Sequence, residues 1–287
     1  MTSLPFWKMH GAGNDFVVLA ADDADAPWGA LAERVCDRHF GVGADGLIVA
    51  LPSARADRRM RIFNADGSEA EMCGNGIRCL VKFVIEQGLV PAPDGRVRIE
   101  TIPGVLDAVA ALGADGKVER VRVRMGTPDL DPLALGADIE QAPPVLDLPI
   151  EAAGATYTAT LVSMGNPHAV LFTDVPLAEF DLDRVGPALE RHPMFRRRTN
   201  VEVVRVVDRG RLEMRVWERG VGETLACGSG ACAALVAARL HGAVDERAEV
   251  ELPGGTLLLQ WDGAGEVILD GPAVQVFASV WDDPGWP

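Results

Sequence analysis

Two cysteines stand in the same phrase 154 residues apart, Cys73 in MRIFNADGSEAEMCGNG (60–76) and Cys227 in MRVWERGVGETLACGSG (214–230). Six of the 17 aligned positions are identical without a gap, among them Met60 and Met214, Arg61 and Arg215, Glu69 and Glu223. After each Cys-Gly-x-Gly step comes a run of good helix formers that ends in glycine, Ile77–Gly88 and Ala231–Gly242. The pattern predicts two helices, each with its cysteine at or just before the N-terminus. Unpaired N–H donors and a partial positive charge at such an end bind anions, and they lower a thiol from about 8.5 toward or below neutrality. The glycines are expected to let the backbone turn sharply and expose those amides.

Two thiols on opposite faces of one carbon can remove a proton from one side and return one to the other, which inverts a stereocentre. The pair must hold one thiolate and one thiol at a time, and repulsion between two thiolates enforces this. If the halves are related by a pseudo-twofold axis, both helix ends can point into one cleft and hold a small carboxylic acid on their amides. Cys36, Cys79 and Cys232 lack the phrase and read as small core hydrophobes. His168, in GNPH, fits a loop histidine as well as a functional one, and Asn14, Asn64, Asn75, Asn166 and Asn200 fit turns or caps as well as a site. Glu69 and Glu223 recur four residues before each cysteine and read as a symmetric pair that shapes the loop.

The elements that must position these groups are duplicated too. GNDFVVL (Gly13–Leu19) has a counterpart in GNPHAVLF (Gly165–Phe172), and Ile102–Gly104 has one in Leu252–Gly254. Each proline-glycine step leads into alternating apolar residues, an Asp-Gly turn (Asp115-Gly116; Asp262-Gly263) and another apolar run, which are hairpin signals. The second helix is apolar nearly all round, as buried helices are, so each half is expected to be a strand-rich sheet curled about one central helix. Between the halves, residues 126–149 carry five prolines without a sustained period and read as a connector. The tail after Gly271, PAVQVFASVW, alternates like a strand and is expected to pair with a sheet edge.

Composition narrows the ligand. The 287 residues suffice for two domains with real cores. No uninterrupted apolar run approaches the ~18 residues of a membrane span, and the first 15 residues hold no apolar core of signal-peptide length. A soluble, cytoplasmic chain with reduced thiols is the expectation. The odd count of five cysteines, with no Cys-x-x-Cys pair or zinc-spaced cluster, points away from a disulfide framework or a structural metal. A net charge of −15 argues against nucleic acid and anionic membrane as partners and leaves small solutes.

HGAGNDFVV, FNADGSEAEMCGNGIRC, GNPHAV, TNVE and WERGVGETLACGSGACAA together resemble the diaminopimelate epimerases, in order and over most of the chain. The resemblance implies an α+β fold of two pseudo-twofold-related domains, each a mixed β-sheet wrapped around a central α-helix. With the closing glycines, it sets the domains at 1–126 plus 272–287 and 127–271, the C-terminal strand returning to the first. It implies a homodimer that interconverts LL- and meso-diaminopimelate without cofactor or metal, on the route to lysine and peptidoglycan precursors. By position Cys73 and Cys227 are then the proton-transfer residues. Asn14, Asn64, Asn166, Asn200, Glu218 and Arg219 bind the distal amino acid end, and Gly74, Asn75, Gly228 and Ser229 hold the reacting carboxylate and ammonium. His168 and Glu218 are candidates for helping the thiols ionise. Arg219 suits a carboxylate held by a bidentate fork, and the first half has Ala65 there and Asn64 in place of Glu218, so only one half grips the tail. One departure is Gly46 in GVGADGL, where some members carry a glutamine that contacts substrate.

Other classes fit less well. Proline and hydroxyproline racemases share the two-cysteine plan but are associated with histidine after the first Cys-Gly, where this chain has Asn75. A pyridoxal-phosphate racemase needs a Schiff-base lysine, and Lys8, Lys82 and Lys117 lie in no phosphate-cradling loop. A redox sensor or small-acid binding module with two facing cysteines is the non-enzymatic alternative.

Overall fold

The computed structural model describes residues 2–283, so residue 1 and residues 284–287 of the expected first domain lie outside it. The fold is α+β, and the chain divides into two compact units, Met1–Arg124 with Asp270–Pro287, and Met125–Leu269.

The first unit runs through β1 (Thr2–Gly11), β2 (Asn14–Ala20), α1 (Trp28–Val35), β3 (Gly46–Leu51), β4 (Arg58–Asn64), β5 (Glu69–Ala70), α2 (Gly74–Glu86), β6 (Arg96–Glu100), β7 (Val105–Leu112) and β8 (Val118–Arg124). The second holds α3 (Pro132–Leu135), β9 (Leu148–Ala152), β10 (Ala155–Ser163), β11 (Pro167–Phe172), α4 (Leu182–Glu190), β12 (Asn200–Asp208), β13 (Arg211–Glu218), β14 (Gly222–Thr224), α5 (Gly228–Leu240), β15 (Arg247–Leu252) and β16 (Gly255–Gln260). β17 (Ile268–Pro272) leads back to the first unit, where β18 (Val274–Asp283) ends the described chain. The tail pairs with a strand as the alternation predicts: β18 lies antiparallel to β1.

Both units repeat one order of pairing. In the first, β1 is antiparallel to β2, β2 parallel to β3, β3 antiparallel to β4, β4 parallel to β6, and β6 antiparallel to β7. In the second the same series joins β10, β11, β12, β13, β15 and β16. Register repeats as well. Phe16 lies opposite Gly46 and Val18 opposite Ile48, as His168 lies opposite Asn200 and Val170 opposite Glu202. β3, GLIVAL, is buried at every residue, the continuous apolar run of a strand covered on both faces. β7 and β8 form the hairpin expected across Asp115-Gly116, with Gly116 at φ 77°, where glycine has no Cβ to clash.

Each unit winds its strands about one buried helix. α2 is buried continuously from Gly74 to Val84 and packs on β1, β2 and β8; α5 is buried from Gly230 to Ala238 and packs on β10, β11, β12 and β16. Each cysteine stands just before its helix, as predicted: Cys73 and Cys227 are the N-caps of helices that start at Gly74 and Gly228, three residues ahead of the apolar runs. Two expectations need correction. Gly74, Gly76, Gly228 and Gly230 therefore lie inside the helices, none with left-handed backbone, so they do not make the sharp turn expected of them. The connector is also more than a linker. Asp131 caps α3, accepting from Leu133 N at 2.9 Å, and Leu135, Ala137 and Val145 join the core of the second unit. Proline spacing hides this because three well-placed apolar side chains suffice to anchor an aperiodic segment.

Candidate active site

In the first unit Cys73 is the N-cap of α2, with extended backbone and its Sγ 3.4 Å from the N–H of Gly76. A sulfur here takes the part usually played by a Ser or Asp oxygen and satisfies an orphan donor. Asn14, where β2 begins, offers its Oδ1 to the Cys73 Sγ–H at 3.6 Å and to Asn75 Nδ2 at 3.2 Å. The amide of Asn14 is held the right way round because its Nδ2 donates to Asp45 at 2.7 Å. Asn75 is fixed in turn by buried Arg78, whose Nη2 donates to Asn75 Oδ1 at 2.8 Å and whose Nη1 donates to Gly74 O at 3.0 Å. Asp45 is tied by Arg38 to Asp15, which also pairs with Lys8 at 2.5 Å. Burial opposes ionisation of Asp15, but hydrogen bonds from Arg38 and Lys8 win and hold it at about 2.

Asn14, Gly74 and Asn75 thus surround Cys73. Asn64 sits apart from this cluster's bonds, exposed at the end of β4 with its Nδ2 on Ser68 Oγ at 2.9 Å. Gly46 opposes Asn64 across β3 and β4, and a Cβ at Gly46 would stand 2.6 Å from the carbonyl of Phe63. In this chain the position admits no side chain unless the backbone moves.

In the second unit Cys227 caps α5 in the same way, Sγ 3.4 Å from Gly230 N, with Ser229 Oγ at 3.5 Å. Here the expected acidification fails. Burial pushes the Cys227 thiol well above its ordinary value, and the charges of Glu218 and Glu202 push the same way, against the bonds from Ser229 and Gly230 N–H. Desolvation of a buried thiolate outweighs the helix end. Glu218 is a hydrogen-bond neighbour of Cys227 and accepts from Thr224 Oγ1 at 2.6 Å; burial raises its carboxyl too. Arg219 is exposed, its N–H held by Asn200 Oδ1 at 2.9 Å while Asn200 Nδ2 donates to Pro167 O at 2.8 Å. Asn166 donates to Ser229 Oγ at 3.3 Å and accepts from His168 Nε2 at 3.0 Å.

Glu202 is the residue that sequence reasoning passed over. It stands in the TNVE segment already noted, fully buried, with Oε1 2.7 Å from His168 Nδ1. The signal was in the repeat: the offset that aligns the cysteines sets Glu202 on Ile48, a charge where the other half is apolar. Glu69 and Glu223 do shape their loops, by two-pronged ion pairs to Arg61 (2.7 and 2.8 Å) and Arg215 (2.7 and 2.9 Å) that fasten β5 to β4 and β14 to β13. Among the described residues no cluster of His, Cys, Asp or Glu could hold a metal ion, and no helix is long and apolar enough to cross a membrane.

The fold is shared with solved epimerase and isomerase structures. A hydroxyproline epimerase from Agrobacterium vitis superposes with a TM-score of 0.70 over 98% of this chain and 94% of that one, at 16% identity. Sequence then narrows the class. The family described as diaminopimelate epimerase matches residues 6–130 and 160–276. Diaminopimelate epimerases of Moorella thermoacetica and Pelotomaculum thermopropionicum are 49% and 48% identical, each alignment covering 95% of this chain and 97% of the relative. The chain belongs to the diaminopimelate epimerase family, a family of isomerases.

Proposed function

We propose that the chain interconverts LL- and meso-diaminopimelate by two-base proton transfer, with Cys73 and Cys227 as the two bases and without cofactor or metal. The observation that carries the reading is the matched pair of cysteine caps, each sulfur 3.4 Å from the third amide of a buried helix. One thiolate withdraws the α-proton and the opposite thiol delivers another, so the two sulfurs must reach one carbon. Cys227, whose thiol burial pushes well above its ordinary value, is the acid of the resting pair.

The helix-end amides at Gly74, Asn75, Gly228 and Ser229 receive the reacting carboxylate and ammonium. Asn14, Asn64, Asn166, Asn200, Glu218 and Arg219 hold the distal end, with the Arg219 guanidinium on its carboxylate. Glu218, bonded to Cys227, and His168 tune the thiol. The reading makes the protein a cytoplasmic homodimer, and exposed Val276, Phe277 and Val280 along β18 offer apolar surface to a second copy. Replacing either cysteine tests the core of the proposal. Cys73→Ala and Cys227→Ala should each lower kcat by roughly 10²–10⁴-fold, and near-normal turnover in either variant sinks it.

A further inference from the structure

Beneath the Cys227 cap lies a polar pair that the fold itself does not need. His168 on β11 and Glu202 on β12 are each 0% exposed and joined by a 2.7 Å contact between Nδ1 and Oε1. The repeated register places Phe16 on β2 and Ile48 on β3 at the equivalent positions of the first unit, and both are buried apolar residues. There Ile48 packs under Gly76, its Cδ1 3.1 Å from where a Cβ would stand; in the second unit Glu202 Oε1 lies 2.7 Å from the same point of Gly230. One half of the molecule therefore builds this layer from a phenylalanine and an isoleucine. The other half buries a histidine and a carboxylate, with Glu202 Oε2 left without a hydrogen-bond partner, an arrangement that costs stability.

The bonds around His168 run in one direction. Its Nδ1 faces the Glu202 carboxyl and its Nε2 faces Asn166 Oδ1 at 3.0 Å; an ionised carboxylate and an amide oxygen only accept. A ring that serves both carries a proton on each nitrogen. Asn166 passes the polarity on, donating from Nδ2 to Ser229 Oγ at 3.3 Å, which leaves the Ser229 hydroxyl proton to point at Cys227 Sγ, 3.5 Å away. The other titratable groups here are Glu218 on β13, which feels the charges of both His168 and Glu202, and Cys227 on α5.

We propose that Glu202 is a positioning residue: it keeps His168 as an imidazolium and thereby fixes the hydrogen-bond chain that turns the Ser229 hydroxyl toward the Cys227 sulfur. No bond is made or broken along the chain. It stands ready so that when Cys227 yields its proton, the sulfur left behind meets two donors, Ser229 O–H and Gly230 N–H. The inference rests on the reading that Cys227 takes part in the reaction, but its first test does not.

The test is nitrogen NMR of histidine-labelled protein at about pH 8, where a free imidazole is neutral, with the His168 signals assigned by their absence from His168→Phe. The expected wild-type result is two protonated ring nitrogens, with one bare nitrogen in Glu202→Gln and both protonated again in Glu202→Asp. Activity follows: Glu202→Gln should lose kcat roughly 10–100-fold, by analogy with the loss of the carboxylate that orients a metal-bound histidine, with little change in KM and partial recovery in Glu202→Asp. The double variant His168→Phe/Glu202→Ile copies the first unit's pair, so it should fold and be as slow as Glu202→Gln or slower. A wild-type His168 with one bare nitrogen overturns the proposal, as does a folded double variant with wild-type kcat. An imidazolium that Glu202→Gln abolishes supports it even if Cys227→Ala proves active, so the two readings fail separately.

Discussion

At the scale of single residues, the two thiols share a cap but not their surroundings. Cys73 is half-buried and meets a neutral amide, Asn14. Cys227 is buried beside two carboxyl groups, Glu218 and Glu202, whose charges hold its proton on. Removing one of those charges must lower the Cys227 thiol and raise its thiolate fraction at a given pH. Glu218→Gln should therefore speed iodoacetamide labelling of Cys227 at about pH 8, located by peptide mapping; an unchanged rate would contradict the electrostatic account. Cys36 and Cys79, whose thiols burial pushes up to about 12, should stay unlabelled in the folded protein. The sequence made the right pair of cysteines legible, since only Cys73 and Cys227 carry the duplicated phrase. It could not reveal that Cys227 is harder to ionise than a free thiol, because helix-end position is local and burial is not.

At the scale of elements, the packing against each helix's first turn explains why the fourth residue of Cys-Gly-x-Gly is glycine. At Gly76 a Cβ would press on the ends of Ile48 and Ile62, 3.1 and 3.2 Å away, and both can give. At Gly230 it would meet the Glu202 carboxylate at 2.7 Å, which is pinned to His168. Alanine adds about 1 kcal/mol of helix propensity at either site, so Gly76→Ala should unfold within about 1 kcal/mol of wild type while Gly230→Ala loses about 2 kcal/mol or more. Urea denaturation measures both, and equal effects would contradict the packing described. The repeat exposed these helices and the hairpin at Asp115-Gly116, because each has a local period or turn residue that one chain can show twice. What stayed hidden was the parallel pairing of β2 with β3 and of β11 with β12, set by contacts across some thirty residues that leave no periodic mark. Those pairings bring His168 to Glu202.

At the scale of the whole molecule, stability and chemistry share a network in the first unit. Asp15 anchors the Asn14 turn through Lys8, Arg38 and Asp45, and its folded value of about 2 lies below the ordinary 3.8. The folded state thus binds fewer protons than the unfolded one in that range, so the stabilisation is complete above about pH 4 and lost as pH falls toward about 2. Asp15→Asn should cost about 2 kcal/mol at neutral pH, and the gap to wild type should close on acidification; a constant gap would assign the loss to packing. The central claim is two-base inversion, and incubation of purified protein with LL-diaminopimelate in heavy water tests it most directly. At low conversion the account predicts meso product carrying one solvent deuterium at the inverted α-carbon, with recovered LL substrate still unlabelled. Product that keeps the substrate's own α-hydrogen would contradict it.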